Sequence, residues 1–152
     1  MSARLPPLFV SHGSPMTAVE PGEAGAAWTA LGREAGRPRA ILIASAHWES
    51  APLALSSAVA GTPLVYDFAG FDPVYYRFRY PTPDATELAA LVAGVLPDGS
   101  GLVQHTTRGL DHGAWVPLMV MYPEADIPVL QLSIPTNVSA SARSRPRAYC
   151  MA

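Results

Sequence analysis

The sequence has little cysteine and no long apolar segment, and each shortage excludes a class of protein. Its single cysteine, Cys150, cannot form a disulfide within the 152-residue chain, so a fold stapled by internal disulfides is excluded. No run reaches the roughly 18 apolar residues of a membrane-spanning helix, and residues 1–7 lack the apolar core of a secretory signal. We therefore expect a soluble protein of the reducing cytoplasm that does not interact with membranes.

Charge is scarce as well. Only 14% of the residues are charged, lysine is absent, and the net charge is −2. Because the chain has no basic cluster, it offers no positively charged surface that would attract the phosphates of DNA or RNA. We therefore expect no nucleic-acid partner. Apolar residues make up 49% of the chain, which is typical of a globular protein, and the length fits one domain.

Four short apolar segments have the composition of β-strands. Residues 39–46 form a run typical of a buried parallel strand, and residues 8–10 form a shorter one near the N-terminus. Residues 127–134 alternate between apolar and polar positions, and residues 53–55 are a weaker candidate. Helical segments separate most of these strands. The alternation predicts an α/β fold with a mostly parallel sheet and flanking helices.

Three segments have helical patterns. Residues 22–33 have a helical composition, and residues 114–122 indicate a buried helix that Asp111 can cap. Residues 84–96 predict an amphipathic helix with Asp84 as candidate N-cap. The apolar face of this last helix is expected to consist of Leu88, Leu91, Val92, Val95 and Leu96.

Two segments have neither pattern. Residues 66–83 hold four of the six tyrosines and three of the four phenylalanines, and a long irregular stretch inside a compact domain is usually functional. Residues 138–152 contain three of the ten arginines, no acidic residue and no periodic apolar face. We therefore expect a folded part at residues 1–137 and a disordered tail at residues 138–152.

His12 and His47 each follow a predicted strand and have small neighbours. Ligands of open α/β sheets gather beyond the carboxyl ends of the strands, so the two imidazoles can hold one metal ion. A pair of hydrogen-bonded histidines at strand ends is the alternative. Two ligands do not make a tight site, because zinc normally has three protein ligands and non-haem iron a third nitrogen or carboxylate.

His112 can supply the third ligand or act as a general acid or base. Alternatively, Asp111, His112 and Gly113 only start a helix. His105 has no motif around it and is expected at the surface. Asp67 and Tyr75 are the polar members of residues 66–83 that we expect in a substrate pocket, while most of the aromatic side chains there are expected to cover the sheet.

Several ordered motifs resemble those of one family, the class III extradiol ring-cleavage dioxygenases, and within it the group similar to 4,5-DOPA dioxygenase. The resemblance runs from about residue 8 to residue 134. The motifs are HGSPM at residues 12–16, SAHW at 45–48, YDFAGF at 66–71, YP at 80–81, GLDHGAW at 109–115, MYPEADIPV at 121–129 and QLSI at 131–134.

The resemblance implies a function and a site. It implies that His12 and His47 bind a divalent metal, Fe(II) for dioxygenase chemistry or Zn(II), and that His112 is the catalytic histidine of the substrate pocket. The substrates would be a small DOPA-like aromatic diol and dioxygen. The metal would hold both diol oxygens, which lowers the phenolic pKa, and an imidazole can move the protons.

The resemblance also implies that something is missing. Family members are longer, and their remaining metal ligand and a further catalytic histidine lie downstream of the segment that ends here at Ile134. We therefore interpret the chain as an N-terminal fragment with an aberrant tail, without the third protein ligand and of doubtful activity. A non-catalytic metal-binding or interaction remnant and a metallohydrolase stay open as alternatives.

Overall fold

A computed structural model describes residues 5–97 and 99–136 of the chain. The predicted tail at residues 138–152 lies outside the described residues. Helices alternate with strands, as the sequence patterns predict. The helices are α1 (Gly22–Ala35), α2 (Thr86–Val95) and α3 (His112–Met121), the strands are β1 (Ile41–Ser50), β2 (Ala54–Leu55), β3 (Val103–Gln104) and β4 (Val129–Pro135), and two short 3₁₀ helices span Pro15–Ala18 and Pro73–Arg77.

The four strands form one sheet in the order β1-β4-β2-β3. β1 runs parallel to β4 and β2 runs parallel to β3, whereas β2 meets β4 in the antiparallel direction where Leu55 faces Leu132. The fold is therefore α/β with a mostly parallel sheet and flanking helices, which confirms the predicted fold class. None of the helices in the described ranges is long and apolar enough to cross a membrane.

Both faces of the sheet carry a core, because consecutive residues of a strand point to opposite faces. In β4, Val129 packs into the core beneath α1 and α3. The fully buried Trp115 lies at the centre of this core. The next residue, Leu130, packs into the core beneath α2. The larger core lies on the side of α1 and α3, and that side carries the candidate site.

The predicted strand at residues 8–10 is wrong. The structure assigns no strand to residues 5–14. Phe9 is fully exposed (103%) and Leu8 is exposed, and only Val10 packs against the core. Three apolar residues become a strand only when a neighbouring strand pairs with them, and within the described ranges β1 pairs only with β4.

The apolar face predicted for α2 is half correct. Leu88 and Val92 are buried and Leu96 packs beside them, but Leu91 and Val95 are 61% and 51% exposed. Ala85 and Ala89 pack into the same core, so the buried side of α2 is rotated away from Leu91 and Val95. The N-cap of α2 is Ala85 and not Asp84 as predicted, although the Asp84 carboxylate, one residue earlier, accepts a hydrogen bond from the Thr86 N–H at 2.9 Å.

Candidate metal centre

His12 is positioned by a local turn and not by a strand. It lies just before the 3₁₀ helix Pro15–Ala18, where the Ser14 N–H donates to Thr17 Oγ1 at 3.0 Å. Gly13 has a positive φ of 65°, and a Cβ at this position would collide with the Thr17 side chain. The HGSP motif is therefore a turn that presents His12 to the cleft.

His47 lies in an irregularity of β1. The strand advances from Ala44 to Glu49 while its partner β4 advances only from Leu132 to Ile134. The extra residues leave the ladder, and the His47 N–H donates to Ser45 Oγ at 3.2 Å. The sequence predicted that this strand ends before His47, but it continues to Ser50. The bulge therefore turns the imidazole into the cleft, a common function of bulges beside active sites.

His112 is the first residue of α3. The Asp111 carboxylate accepts a hydrogen bond from the Ala114 N–H at 3.3 Å, which confirms the predicted cap. Gly113 lets the first turn of α3 approach β1, since a Cβ there would collide with Ser45 Oγ and lie 2.9 Å from His47 Cδ2. Helix start and strand bulge are in this way brought into direct contact.

The three imidazoles converge. One possible ligand atom from each lies within 4.8 Å of the others. The Nε2 atoms of His12 and His47 are 2.9 Å apart, and the His112 ring centre is 5.0 Å from that of His12 and 4.1 Å from that of His47. The predicted convergence of His12 and His47 and the predicted placement of His112 in the same cleft are confirmed.

Asp67 lies behind two of the imidazoles. Its Oδ1 accepts hydrogen bonds from Nδ1 of His112 at 2.7 Å and from the backbone N–H of His112 at 3.1 Å. Its Oδ2 is 3.6 Å from Nδ1 of His47. A carboxylate beside Nδ1 holds a proton on that nitrogen and leaves the lone pair on Nε2, the arrangement usual for imidazoles that bind metals.

The electrostatics of the cleft favour neutral imidazole at His12. Burial, followed by the proximity of His47 and His112, lowers the pKa of His12 below its ordinary value. Burial alone would raise the pKa of Asp67, but the hydrogen bonds from His112 outweigh it and lower that pKa. The cleft therefore combines a neutral imidazole with an ionised carboxylate behind its neighbours.

The donor set fits a divalent metal ion. Two nitrogens that bind one ion at about 2.0–2.1 Å are themselves about 2.9–3.4 Å apart, and the His12–His47 separation of 2.9 Å lies in this range. The same distance also suits a hydrogen bond between two neutral imidazoles. The third imidazole within reach and the carboxylate behind it favour the metal, because imidazole is a ligand of both zinc and ferrous iron.

Aromatic side chains line one side of the cleft. The Phe68 ring lies 5.5 Å from that of His112 and 5.3 Å from that of Phe71. Tyr75 contacts Phe71 and Phe78, so it is linked to His112 only through other rings. Several members of the segment, Tyr66, Phe68 and Phe78, also pack on Trp115, as expected for aromatic residues that cover the core.

The sequence patterns did not single out Gln131, and they placed His105 correctly at the surface. Gln131 is fully buried in β4, and its Oε1 accepts a hydrogen bond from the Asp111 N–H at 3.0 Å. A single glutamine within the apolar segment 127–134 was the available signal. His105 is exposed, as expected, and its ring lies 5.7 Å from that of Trp48.

Comparison with known families decides the ancestry of the chain. Residues 6–149 match the family described as the catalytic LigB subunit of aromatic ring-opening dioxygenase. The chain belongs to this family. The residues that converge in the cleft, His12, His47 and His112, all lie within the matched region.

Individual relatives agree with the family. The chain is 43% identical over 139 residues to the 4,5-DOPA dioxygenase extradiol of Beta vulgaris, covering 88% of this chain and 51% of that protein. It is 38% identical over 140 residues to the protein of the same name in Escherichia coli K12, covering 92% and 51%. The chain thus spans about half the length of these relatives.

A solved structure supports the same fold. The crystal structure of the uncharacterized protein JW3007 from Escherichia coli K12 superposes with a TM-score of 0.58 and 32% identity. The superposition covers 74% of this chain and 41% of that one. The α/β arrangement described above is therefore shared with a longer protein.

Proposed function

We propose that this chain forms the metal-binding part of an extradiol dioxygenase that opens the ring of a catechol-type, DOPA-like aromatic diol. The observation that carries the proposal is the convergence of three imidazoles, with the Nε2 atoms of His12 and His47 2.9 Å apart, in a chain of the LigB family. We further propose a cytoplasmic location, because a reducing compartment suits both ferrous iron and the single cysteine.

His12 and His47 are the proposed metal ligands. Burial lowers the pKa of His12, so its imidazole is neutral and able to coordinate near neutral pH. Ferrous iron is the proposed metal for catalysis, with zinc as the alternative occupant. When bound, the metal would supply Lewis acidity that favours ionisation of the diol and brings diol and dioxygen together.

His112 is the proposed proton-transfer residue. It is 6% exposed, and its Nδ1 is held by Asp67, so its free Nε2 can accept a proton from a diol hydroxyl. As a third metal ligand it would play a different role, and the two roles predict different behaviour. Removing a ligand weakens metal binding, whereas removing a proton-transfer residue leaves metal binding intact.

Asp67 and Tyr75 are the proposed substrate-side residues. The Asp67 side chain is 21% exposed, so the carboxylate that orients His112 also borders the cleft. Tyr75 lies in the aromatic cluster with Phe71 and Phe78, which offers faces and edges for an aromatic ring. Replacing Tyr75 by Phe should change KM more than kcat if its hydroxyl contacts the substrate.

The test compares metal binding and ring opening in single variants. The chain is loaded anaerobically with ferrous iron, supplied with DOPA or catechol and oxygen, and followed by the absorbance of the yellow ring-opened product. A chimaera that adds the second half of the Escherichia coli relative after residue 136 is assayed in parallel. We expect product from the chimaera and little from the 152-residue chain, since loss of an acid–base group typically costs about 10²–10⁴-fold in rate.

The variants then assign the roles. In the chimaera, His12→Ala and His47→Ala should abolish both metal binding and product, while His112→Ala should abolish product and keep the metal. The matched control is His105→Ala, an exposed histidine outside the cleft. Metal binding without any product in the chimaera would favour the non-catalytic metal-binding alternative. Hydrolysis of an ester substrate without oxygen consumption would favour a metallohydrolase.

A further inference from the structure

We infer that Gln131 is a positioning residue that fixes His112 through Asp111. This inference rests on the proposed role of His112 in proton transfer. Gln131 lies on β4 and is fully buried, and the hydrogen bonds of its side chain to other described residues go to Asp111. Its effect on the site must therefore pass through the residue that it binds.

The amide of Gln131 binds Asp111 twice. Its Oε1 accepts a hydrogen bond from the Asp111 N–H at 3.0 Å, and its Nε2 donates to Asp111 Oδ2. The backbone of Gln131 is held as well, because its N–H donates to Ser56 Oγ at 2.9 Å and its carbonyl accepts from the Ser56 N–H at 2.8 Å. Sheet and helix start are thus joined by a buried two-point contact.

Asp111 passes this constraint to His112. Asp111 is fully buried and is the N-cap of α3, and His112 is the next residue. On the other side, Asp67 accepts hydrogen bonds from both the backbone N–H and Nδ1 of His112. A change in the backbone at Asp111 would shift His112 relative to Asp67, and displacements of about 1 Å are costly in catalysis.

Gln131 orients the Asp111 carboxylate and does not neutralise its charge. Arg108 already brings a positive charge near Asp111, with Nη2 4.0 Å from Oδ2, and its guanidinium lies 4.2 Å from the centre of the Trp48 ring. Gln131 is neutral, so it adds oriented hydrogen bonds to the Asp111 carboxylate, while Arg108 supplies the nearby positive charge. Hydrogen bonds fix the orientation of the groups that they join, because their strength depends on both the donor–acceptor distance and the angle at the hydrogen.

Ser133 provides a matched control. It lies two residues further along β4 and is 2% exposed, and its Oγ accepts a hydrogen bond from the Ala54 N–H at 2.9 Å. Gln131→Met and Ser133→Ala both remove a buried hydrogen bond from the same strand. Only the Gln131 variant removes the contact with Asp111, so a general loss of stability and a loss of positioning can be separated.

The experiment uses NMR on the metal-free protein. The His112 Nδ1–H proton should give a downfield signal in the unmodified chain and in Ser133→Ala, because Asp67 holds it. Gln131→Met should lose or broaden this signal. It should also increase the exchange rate of the Asp111 amide about tenfold, since that amide loses its acceptor. Both variants should lower the Tm.

An unchanged His112 signal in folded Gln131→Met would overturn the inference, as would an equal change in Ser133→Ala. Where Gln131→Met does not fold, Asp111→Asn replaces it. The asparagine keeps an oxygen that can accept a hydrogen bond from the Ala114 N–H. Its NH2 group, however, would face the NH2 group of Gln131, and two donors cannot form a hydrogen bond with each other. Loss of the signal in Asp111→Asn supports the inference, and an unchanged signal overturns it. Because these readouts need no metal, failure of metal binding would refute the proposed function and leave this result standing.

Discussion

The two sides of the cleft are held in different ways. The first side, which we name the anchored side, consists of His112 with Asp67, Asp111 and Gln131. The second, the open side, consists of His12 and His47, on a turn and in a strand bulge. His112 is 6% exposed, whereas the His47 side chain is 33% exposed and its Nε2 has His12 as its partner.

The difference separates two physical means of building a site. On the anchored side, buried hydrogen bonds and a helix cap fix the imidazole, so the geometry is part of the fold. On the open side, the imidazoles of His12 and His47 face each other, and a metal ion bound by both would help to order them. Substitutions on the anchored side should therefore reduce stability, while those on the open side should reduce metal binding.

The largest effect is expected where the two sides touch. Gly113→Ala introduces a Cβ that collides with Ser45 Oγ and lies 2.9 Å from His47 Cδ2. Overpacking of this kind costs about 1–3 kcal/mol of unfolding free energy and should also separate the imidazoles. Denaturant unfolding and zinc titration measure the two effects.

The control for this prediction is Gly94→Ala. Gly94 lies in α2, and a Cβ there meets nothing within 4 Å. Because alanine is the better helix former, this variant should gain up to about 1 kcal/mol and bind zinc normally. Equal behaviour of the two variants would show that the contact between α3 and β1 does not shape the site.

Several parts of the fold and of the candidate site could be predicted from the sequence. The helical composition of residues 22–33 indicated α1, and the Asp111 cap before an apolar run indicated α3. The histidines beside apolar segments indicated the convergence of imidazoles. These signals are local or depend only on the general rule for ligand positions in α/β sheets. The start of α3, on the anchored side, could be predicted for the same reason, because its cap is a local signal.

The remainder depends on contacts between distant segments. The bulge at His47 arises from the pairing of β1 with β4, and β3 is only two residues long, so neither has a local pattern. The exposure of Leu91 depends on how α2 sits on the sheet. The partners of Asp67 and Gln131 are 45 and 20 residues away in sequence, beyond the reach of periodicity.

A smaller effect is expected at the far end of α3. The Tyr80 hydroxyl donates to the carbonyls of Tyr122 and Leu118, at 2.8 and 3.3 Å. Burial raises the pKa of Tyr80 well above its ordinary value of 10.0. The folded protein therefore keeps a proton that the unfolded chain loses, so this stability is complete below about pH 10 and declines as the pH rises through the folded pKa.

Tyr80→Phe tests this link. The variant should lose about 1 kcal/mol at pH 7, because its hydrogen bonds are gone. Between pH 9 and pH 11 it should lose less stability than the unmodified protein, measured by urea unfolding. Burial also raises the pKa of Tyr122, which is retained and accounts for a residual decline. A decline as steep as that of the unmodified protein would assign the alkaline effect elsewhere.

On the open side, stability and metal binding should separate. His12→Ala should change the metal-free unfolding free energy by no more than about 0.5 kcal/mol, since His12 is only partly buried. It should also remove the rise in Tm that zinc produces in the unmodified chain. His105→Ala, the exposed control, should retain that rise. A large metal-free destabilisation would place His12 on the anchored side instead.

The smallest effect is expected from the C-terminal segment. We predict that residues 138–152 do not pack on the core, because they offer no periodic apolar face and their arginines have no acidic neighbours. Deleting them should leave the Tm unchanged. A clear fall in Tm would mean that this segment contacts one of the two sides.

The most direct test of the central claim is X-ray absorption spectroscopy of the chain with one equivalent of zinc. The claim is that His12 and His47, with His112 in reach, form one metal site. It predicts imidazole nitrogens at about 2.0–2.1 Å from zinc, with fewer imidazoles in His47→Ala and an unchanged spectrum in His105→Ala. A spectrum without imidazole scattering, or one that His47→Ala leaves unchanged, would contradict it.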